Sequence, residues 1–545
     1  MKKLLYIVGL LTFSLSLSAQ EKDWGRVSAS IESQNHVYVD DAANNFYPAD
    51  QIHLNGSRYA TNNYLKVDYY KGRISAGLQM EGYFPTTIGY PIAQNKLTLS
   101  NLYVSWVDKD YSVTAGSFYE QLGSGLLFRS WEDRALGLNN AIIGARGTYT
   151  YDDMLSVRAF AGVPRLDKVI NPMERKFFGL GLANTVVAAA DVSFSLSDCL
   201  DWTALSLAFE GSVLYKYQKF EDFDHDHGLK DNNIGWSARV NAEADGFYLK
   251  GEYVNAGNQY INTFVDAAKG DAQLLEFGYN NRGLGVSVTG RRLHRMNQQI
   301  VTGSYMHDGS ANILAYSPAM CTQYTYMLTT LVPYSTPETS NALRAGEIGG
   351  QVDAFYNFRR GTKIGGKRGM KVHANFSTYY ALNAEGGMKD GEFLFRDFSL
   401  DVERQWTKEF KTTLLYSYQD YNHHDNGVYV GESHTVVADL LYKWTPKFST
   451  RLELQYLTSK DYQKDWMAAL LEVSLAPHWS VFASDMYNHG STGMHYYNAG
   501  VSYSYQWIRV AAGYGRYRAG YICSGGVCRQ IPAYTGANIS LTASF

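Results

Sequence analysis

The chain has 545 residues, with 49 Lys plus Arg against 52 Asp plus Glu and a formal net charge of -3; with no long basic tract, nucleic-acid binding gets no support. Its 44 Tyr and 50 Gly, aromatic content of 14% and only 11 Pro suit strands and turns better than helices. Beyond the N-terminus nothing approaches the roughly 18 consecutive apolar residues of a membrane helix, so any passage through a membrane must use strands.

Lys2 and Lys3, an apolar run over 4–17 and the small-residue end "SLSAQ" define a secretory signal peptide over residues 1–19. Its removal moves the formal charge to -5, 47 minus 52. Alternation begins almost at once, at Val27, Ala29 and Ile31. A passive barrel is therefore expected over an energised importer, whose plug domain would need well over a hundred residues ahead of the first strand.

Leu65, Val67 and Tyr69 alternate with Lys66 and Asp68, and after Lys71-Gly72 the apolar set resumes at Ile74, Ala76, Leu78 and Met80. The pattern recurs around Asp245-Gly246, a type I′ turn signal. There Trp236, Ala238, Val240, Leu249 and Tyr253 lie on one face, and Arg239, Asn241, Glu243, Lys250 and Glu252 on the other. An apolar face backed by mixed charges suits a lipid-facing wall around a wet lumen.

Further compact turns fall at 108–110, 152–153, 197–202, 280–283, 359–370, 406–409, 443–447, 476–479 and 505–507. Several carry Trp beside the turn, as in "QWTKEF", "KWTPKF", "APHWS" and "QWIRV", which suits an aromatic girdle. The intervening connections are longer and more polar, and the stretch from about 296 to 349 exceeds ordinary loop lengths. Eleven short turns imply an all-β, transmembrane antiparallel barrel of about 24 strands, within roughly 20 to 26, both termini periplasmic. Residues 20–545 form it, with the final membrane strand at about 536–545.

That last segment, "ANISLTASF", alternates Ala537, Ile539, Leu541, Ala543 and Phe545 with polar residues. Its ending on the aromatic Phe545 resembles other outer-membrane barrels, which implies recognition by the barrel assembly machinery. Together with "GSGLLFRSWEDRALGLNNAI" and "CSGGVCRQIPAYTGANISLTASF", the "SLSAQ" leader resembles an uncharacterised family of Bacteroidota outer-membrane barrels. The resemblance implies fold and location, the outer membrane of a Gram-negative bacterium, and brings no catalytic residues.

Several constellations invite a site. In "QLGSGLLFRSWEDRALGLNN" the glycines break the strand, and a short helix presenting Arg129, Glu132 and Arg134 could fold inward to constrict the lumen; a loop tied by its own ion pairs is the equal alternative. Asp222, Asp224 and Asp226 begin like a calcium loop, but Gly228 comes one place late and Asn233 stands where Glu belongs, leaving only a weak metal candidate. His423 and His424 are adjacent and diverge, so they do not preform a zinc site. The basic turn holding Arg359, Arg360, Lys363, Lys367, Arg368 and Lys371 is a solvated turn or a meeting place for an acidic partner or anionic headgroup.

"CSGGVCR" has the Cys-x5-Arg spacing of a phosphatase loop, but Pro532 and Gly536 oppose the helix that must follow. In an oxidising compartment Cys523 and Cys528, flanking Gly525 and Gly526, are expected to form a disulfide capping an outer loop. Cys199 falls at an expected periplasmic turn and Cys321 in the long outer loop, on opposite sides of the membrane, which would forbid a bond between them. Arg516, Arg518 and Arg529 become charges at the mouth.

The expected function is that of a porin-like passive or weakly selective channel for polar solutes, without enzymatic activity, cofactor or metal. Two alternatives stay open: a loop-blocked accessory barrel of an envelope complex, and a barrel-embedded hydrolase, for which no "GxSxG" or "HExxH" is present. Expected partners are outer-membrane lipid, the assembly machinery and envelope-complex proteins.

Overall fold

The computed structural model describes residues 24–545 except 91–96, 167–174, 178–179, 221, 260–265, 301–313, 320, 331–344, 426–427, 461–462 and 525–526. The signal peptide expected over residues 1–19 lies outside the described residues. Each alternating segment forms a strand paired antiparallel with its sequence neighbours. The first, Arg26–Tyr38, pairs both with Tyr59–Lys71 and with the last, Tyr534–Ser544. The main sheet has 26 strands, of which Arg175–Phe177 and Leu180–Leu182 are three-residue extensions. The other 24 close the wall, the number implied by the eleven short turns.

Closure turns the usual distribution of side chains inside out. Ile234, Leu275 and Val104 are 60%, 56% and 54% exposed, whereas Glu347, Asp397 and Arg239 are 0%, 1% and 8% exposed. The wall offers its apolar face outward, where lipid replaces a protein core, and its charges inward.

All eleven predicted turns stand at one end. Asp245 and Gly246 have φ of 47° and 80°, the positive pair that a two-residue hairpin needs to match strand twist, and in the three-residue turn 152–154 Asp152 and Asp153 have φ of 41° and 54°. The 197–202 turn contains one helical turn, Leu196–Cys199, whose first N–H groups are capped by the Ser195 hydroxyl. "WTKEFKT" and "WTPKFST" fold alike. Trp406 Nε1 donates to Thr412 at 2.9 Å and Trp444 Nε1 to Thr450 at 3.0 Å, so each indole satisfies its polar edge while its ring faces outward. At the seam the Phe545 N–H donates to the Ala29 carbonyl at 2.8 Å, and its ring lies 4.8 Å from that of Trp507.

Candidate functional site in the barrel lumen

Inward positions recur at every second residue, so antiparallel register sets them directly opposite one another. Glu210 faces Arg239, Arg239 faces Glu252, and Arg158 faces Asp191. The side chains use this placement. Arg239 bonds Asp191 at 2.5 Å and Glu210 at 2.7 Å, and Arg158 bonds Asp191 at 2.8 Å. Glu120, from the connection 119–141, joins the chain by accepting from Arg146 at 2.8 Å and Arg158 at 3.1 Å. Opposite charges in alternation offset the desolvation that burial imposes on each.

The connection 119–141 enters the barrel, but not as the expected helix. It forms two two-residue ladders, Gln121–Leu122 with Phe128–Arg129 and Glu132–Asp133 with Leu138–Asn139. Gly123, Gly125 and Gly137 have φ of 55°, 97° and 70°, which favours tight turns over a helix. At Gly123 a Cβ would also collide with the carboxylate of Glu252 and the side chain of Arg239, so the backbone approaches the wall closely. Ser124 N–H then donates to Glu252 at 3.1 Å, while Leu122, Leu126, Leu127 and Phe128 pack on Phe118, Phe160 and Val254.

Of the three predicted constriction residues, the fold brings two together. Arg134 bonds Glu132 at 3.2 Å and reaches Glu32 on the first strand at 2.6 Å, and Gln79 donates to Glu132 at 2.7 Å. Burial alone would lower the Arg134 pKa, but Glu132 and Glu32 raise it, so the guanidinium stays charged. Arg129 points elsewhere, stacking over Tyr316 at 3.9 Å and Trp131 at 5.1 Å.

Tyr316 belongs to the long connection between His294 and Gly346, which continues the entry. Its N–H donates to Gly125 O at 2.9 Å, and Arg129 N–H donates to Leu314 O at 2.9 Å. Arg291, paired with Glu347 at 2.6 Å, also donates to Pro318 O. Beyond this, Tyr324 donates to Asp401 at 2.8 Å. Asp401 lies in Met388–Gln405, four residues from its short-turn end, or about 13 Å of strand. His373 sits between Asp401 and Asp353, with carboxylate oxygens at 2.6 and 2.8 Å from its two ring nitrogens. Leu328 N–H donates to Gln455 at 2.8 Å, and its side chain packs with Leu457 and Trp466. The two connections thus make one bridge from the wall at Glu120 to the wall at Trp466.

A third connection closes over the first. Gly520–Ser524 pairs with Val527–Ile531, placing Cys523 opposite Cys528 in register; the two cysteine side chains lie outside the described residues. Val527 and Ile522 pack on Trp131, Leu136 and Leu138. Arg529 donates to Ala135 O at 2.8 Å and stacks on Tyr90 at 3.9 Å, so the guanidinium is engaged by protein rather than poised for a phosphate. Arg516 is held outside by Asp41, at 2.7 and 3.0 Å.

Asp222, Asp224 and Asp226 lie in a five-residue helix, Asp222–Asp226, instead of a calcium loop, because in a helix alternate residues no longer share a direction. Asp222 and Asp226 are exposed, the Asp224 side chain is outside the described residues, and no group of three metal-binding side chains occurs among the described residues. His423 and His424 form a short ladder with Val430 and Tyr429, their side chains likewise outside the described residues. Cys199 is exposed at a short turn and Cys321 is buried within the bridge, both as free thiols. Burial pushes the Cys321 thiol pKa well up.

A closed 24-strand wall with apolar outside and charged inside defines a β-barrel of the outer-membrane class. The sequence matches over residues 1–545 the model of a family of unknown function, DUF6029, and the chain belongs to that family. No curated protein matches it. Among solved structures it is similar to the translocation pore of the P pilus usher PapC, with 10% identity, a TM-score of 0.44 and coverage of 95% of this chain and 99% of that one. It is also similar to the siderophore receptor PirA from Pseudomonas aeruginosa, with 9% identity, a TM-score of 0.41 and coverage of 96% and 82%. A mutant Rh. blastica porin shares 13% identity with a TM-score of 0.28, covering 58% of this chain and 93% of the porin.

Proposed function

We propose that the protein is a narrow, weakly selective channel for small polar solutes, with internal loops rather than the wall setting its width. The observation that carries this is the reach of the bridge: Tyr324 meets Asp401 in the short-turn half of the barrel. Solutes would pass beside the bridge, along inward Arg, Glu, Asn and Gln groups that substitute for their hydration. The reading needs no covalent step. It places the short turns and both termini in the periplasm, and leaves the assembly machinery as a transient partner. A disulfide between Cys523 and Cys528 would stiffen the ribbon lying over the bridge.

Single-channel recording of purified protein in a planar bilayer tests this. Small, noisy conductance that grows when 122–138 is replaced by a short Gly-Ser linker is expected. A silent trace from the parent would favour the loop-blocked accessory barrel, which the ion pairs from Arg134 to Glu32 and Glu132 also support by fastening the bridge to the wall.

A further inference from the structure

The short-turn rim is divided by charge. Turns 108–110, 152–154, 196–205 and 245–246, consecutive around the wall, contain seven Asp and one Lys. The next four, 282–283, 359–369, 406–409 and 446–447, contain eight Lys and Arg and one Glu. Five of those cations stand in one eleven-residue turn, 359–369, and among the described residues none of the five forms a salt bridge. We propose that this turn, with its flanking strand end, binds anionic phospholipid headgroups in the membrane leaflet at the short-turn face.

Three features support a lipid over a soluble acidic protein. The turn is folded as a finger: Gly361 N–H donates to Gly366 O at 2.7 Å, Gly366 N–H to Thr362 O at 2.8 Å and Thr362 Oγ1 to Arg359 O at 2.8 Å. Its cations are therefore presented together without the ordering cost of a loose loop. Its tip carries Ile364, 55% exposed, an apolar group suited to the acyl boundary between phosphate-binding neighbours.

The finger also leans toward the lipid side of the wall. A Cβ on Gly366 would lie 3.0 Å from Nη2 of Arg404. Arg404 continues the outward register of Leu400 and Val402 and stacks on Trp406 at 4.2 Å. Trp406 is an outward-facing girdle residue, so the finger and the headgroup layer share one level. A docking protein approaching from the aqueous side would meet the cations but leave Ile364 and Trp406 unused. On this assignment the acidic half of the rim repels the same lipids, and the lipid shell around the barrel is uneven.

Native mass spectrometry of the full chain tests this, after incubation in detergent with phosphatidylglycerol or phosphatidylcholine. The variants are Arg359→Gln, Arg360→Gln, Lys363→Gln, Lys367→Gln and Arg368→Gln combined, and the milder pair Lys363→Gln with Lys367→Gln at exposed positions. Folding is checked by heat-dependent gel mobility, and the milder pair decides if the combined variant does not fold. The parent should retain phosphatidylglycerol over phosphatidylcholine, and the preference should fall by about fivefold for each charge removed at low salt. Asp152→Asn with Asp153→Asn, which weakens the repulsive half of the rim, should not lower it. Equal retention by parent and variants would overturn the proposal. So would unchanged lipid preference with loss, only in the variants, of a protein coextracted from the outer membrane, which would assign the finger to an acidic protein.

Discussion

Tyr324, from a connection that begins at the long-loop end of the barrel, donates its phenolic hydrogen to Asp401 near the opposite end. Burial pushes the phenol pKa well up, so it remains a donor at any physiological pH. Replacing it by Phe removes one hydrogen bond to a charged acceptor, worth about 1.5–3 kcal/mol. Tyr324→Phe should give more frequent excursions to higher conductance, by about tenfold or more. A trace indistinguishable from the parent would place the anchor elsewhere in the bridge.

Arg239 serves two carboxylates at once. Arg239→Met would leave buried Asp191 and half-buried Glu210 against an apolar side chain, a loss of about 3–5 kcal/mol for a broken buried pair. The midpoint of urea unfolding, followed by gel mobility, should fall, and Arg239→Lys should restore part of it.

The four cysteines should separate by reactivity. In folded protein a maleimide should label exposed Cys199 and spare Cys321, whose thiol burial keeps protonated. Cys528 should be protected in the parent and alkylated in Cys523→Ser. Finding both of these thiols already free in native protein would remove the expected disulfide.

Acid should loosen the connection 39–58. Burial raises the Asp41 pKa, but hydrogen bonds from Arg516, Thr535 and the Asn44 N–H outweigh it and hold the carboxyl below the usual range. A depressed carboxyl contributes stability above its unfolded pKa and loses it as pH falls through the folded one. Proteolysis of this connection should therefore stay slow at neutral pH and quicken only below the ordinary carboxylate range, and Asp41→Asn should abolish that pH step.

Local patterns were legible in the sequence and non-local ones were not. The hairpin at Asp245-Gly246 needs only two positive-φ positions and alternation on either side, all within a few residues. The inward set of Arg239 and Glu252 follows from the same period. Where the segment around Arg129 and Arg134 would go depends on wall strands more than a hundred residues away, as at Glu32 and Glu252. Its glycines signalled a broken strand, yet only contact with Glu252 and Arg239 shows why Gly123 is required. Glu120, Tyr316, Tyr324 and the Asp353, His373 and Asp401 group were missed. One signal was present: residues 309–337 contain no Asp, Glu, Lys or Arg, an odd composition for a loop in water and a natural one for a loop inside a barrel.

The seam has a kinetic meaning. The Asn35 side-chain amide reaches the Ile539 carbonyl, 504 residues further along, while other wall contacts join near neighbours in sequence. A growing chain can zip hairpin after hairpin, yet two bare strand edges persist until the last pairing is made. Such a sheet is adhesive for as long as it stays open. The time between the first hairpin and the seam is therefore when this protein most needs protection, and slowing closure should harm yield in the cell far more than it harms the finished barrel.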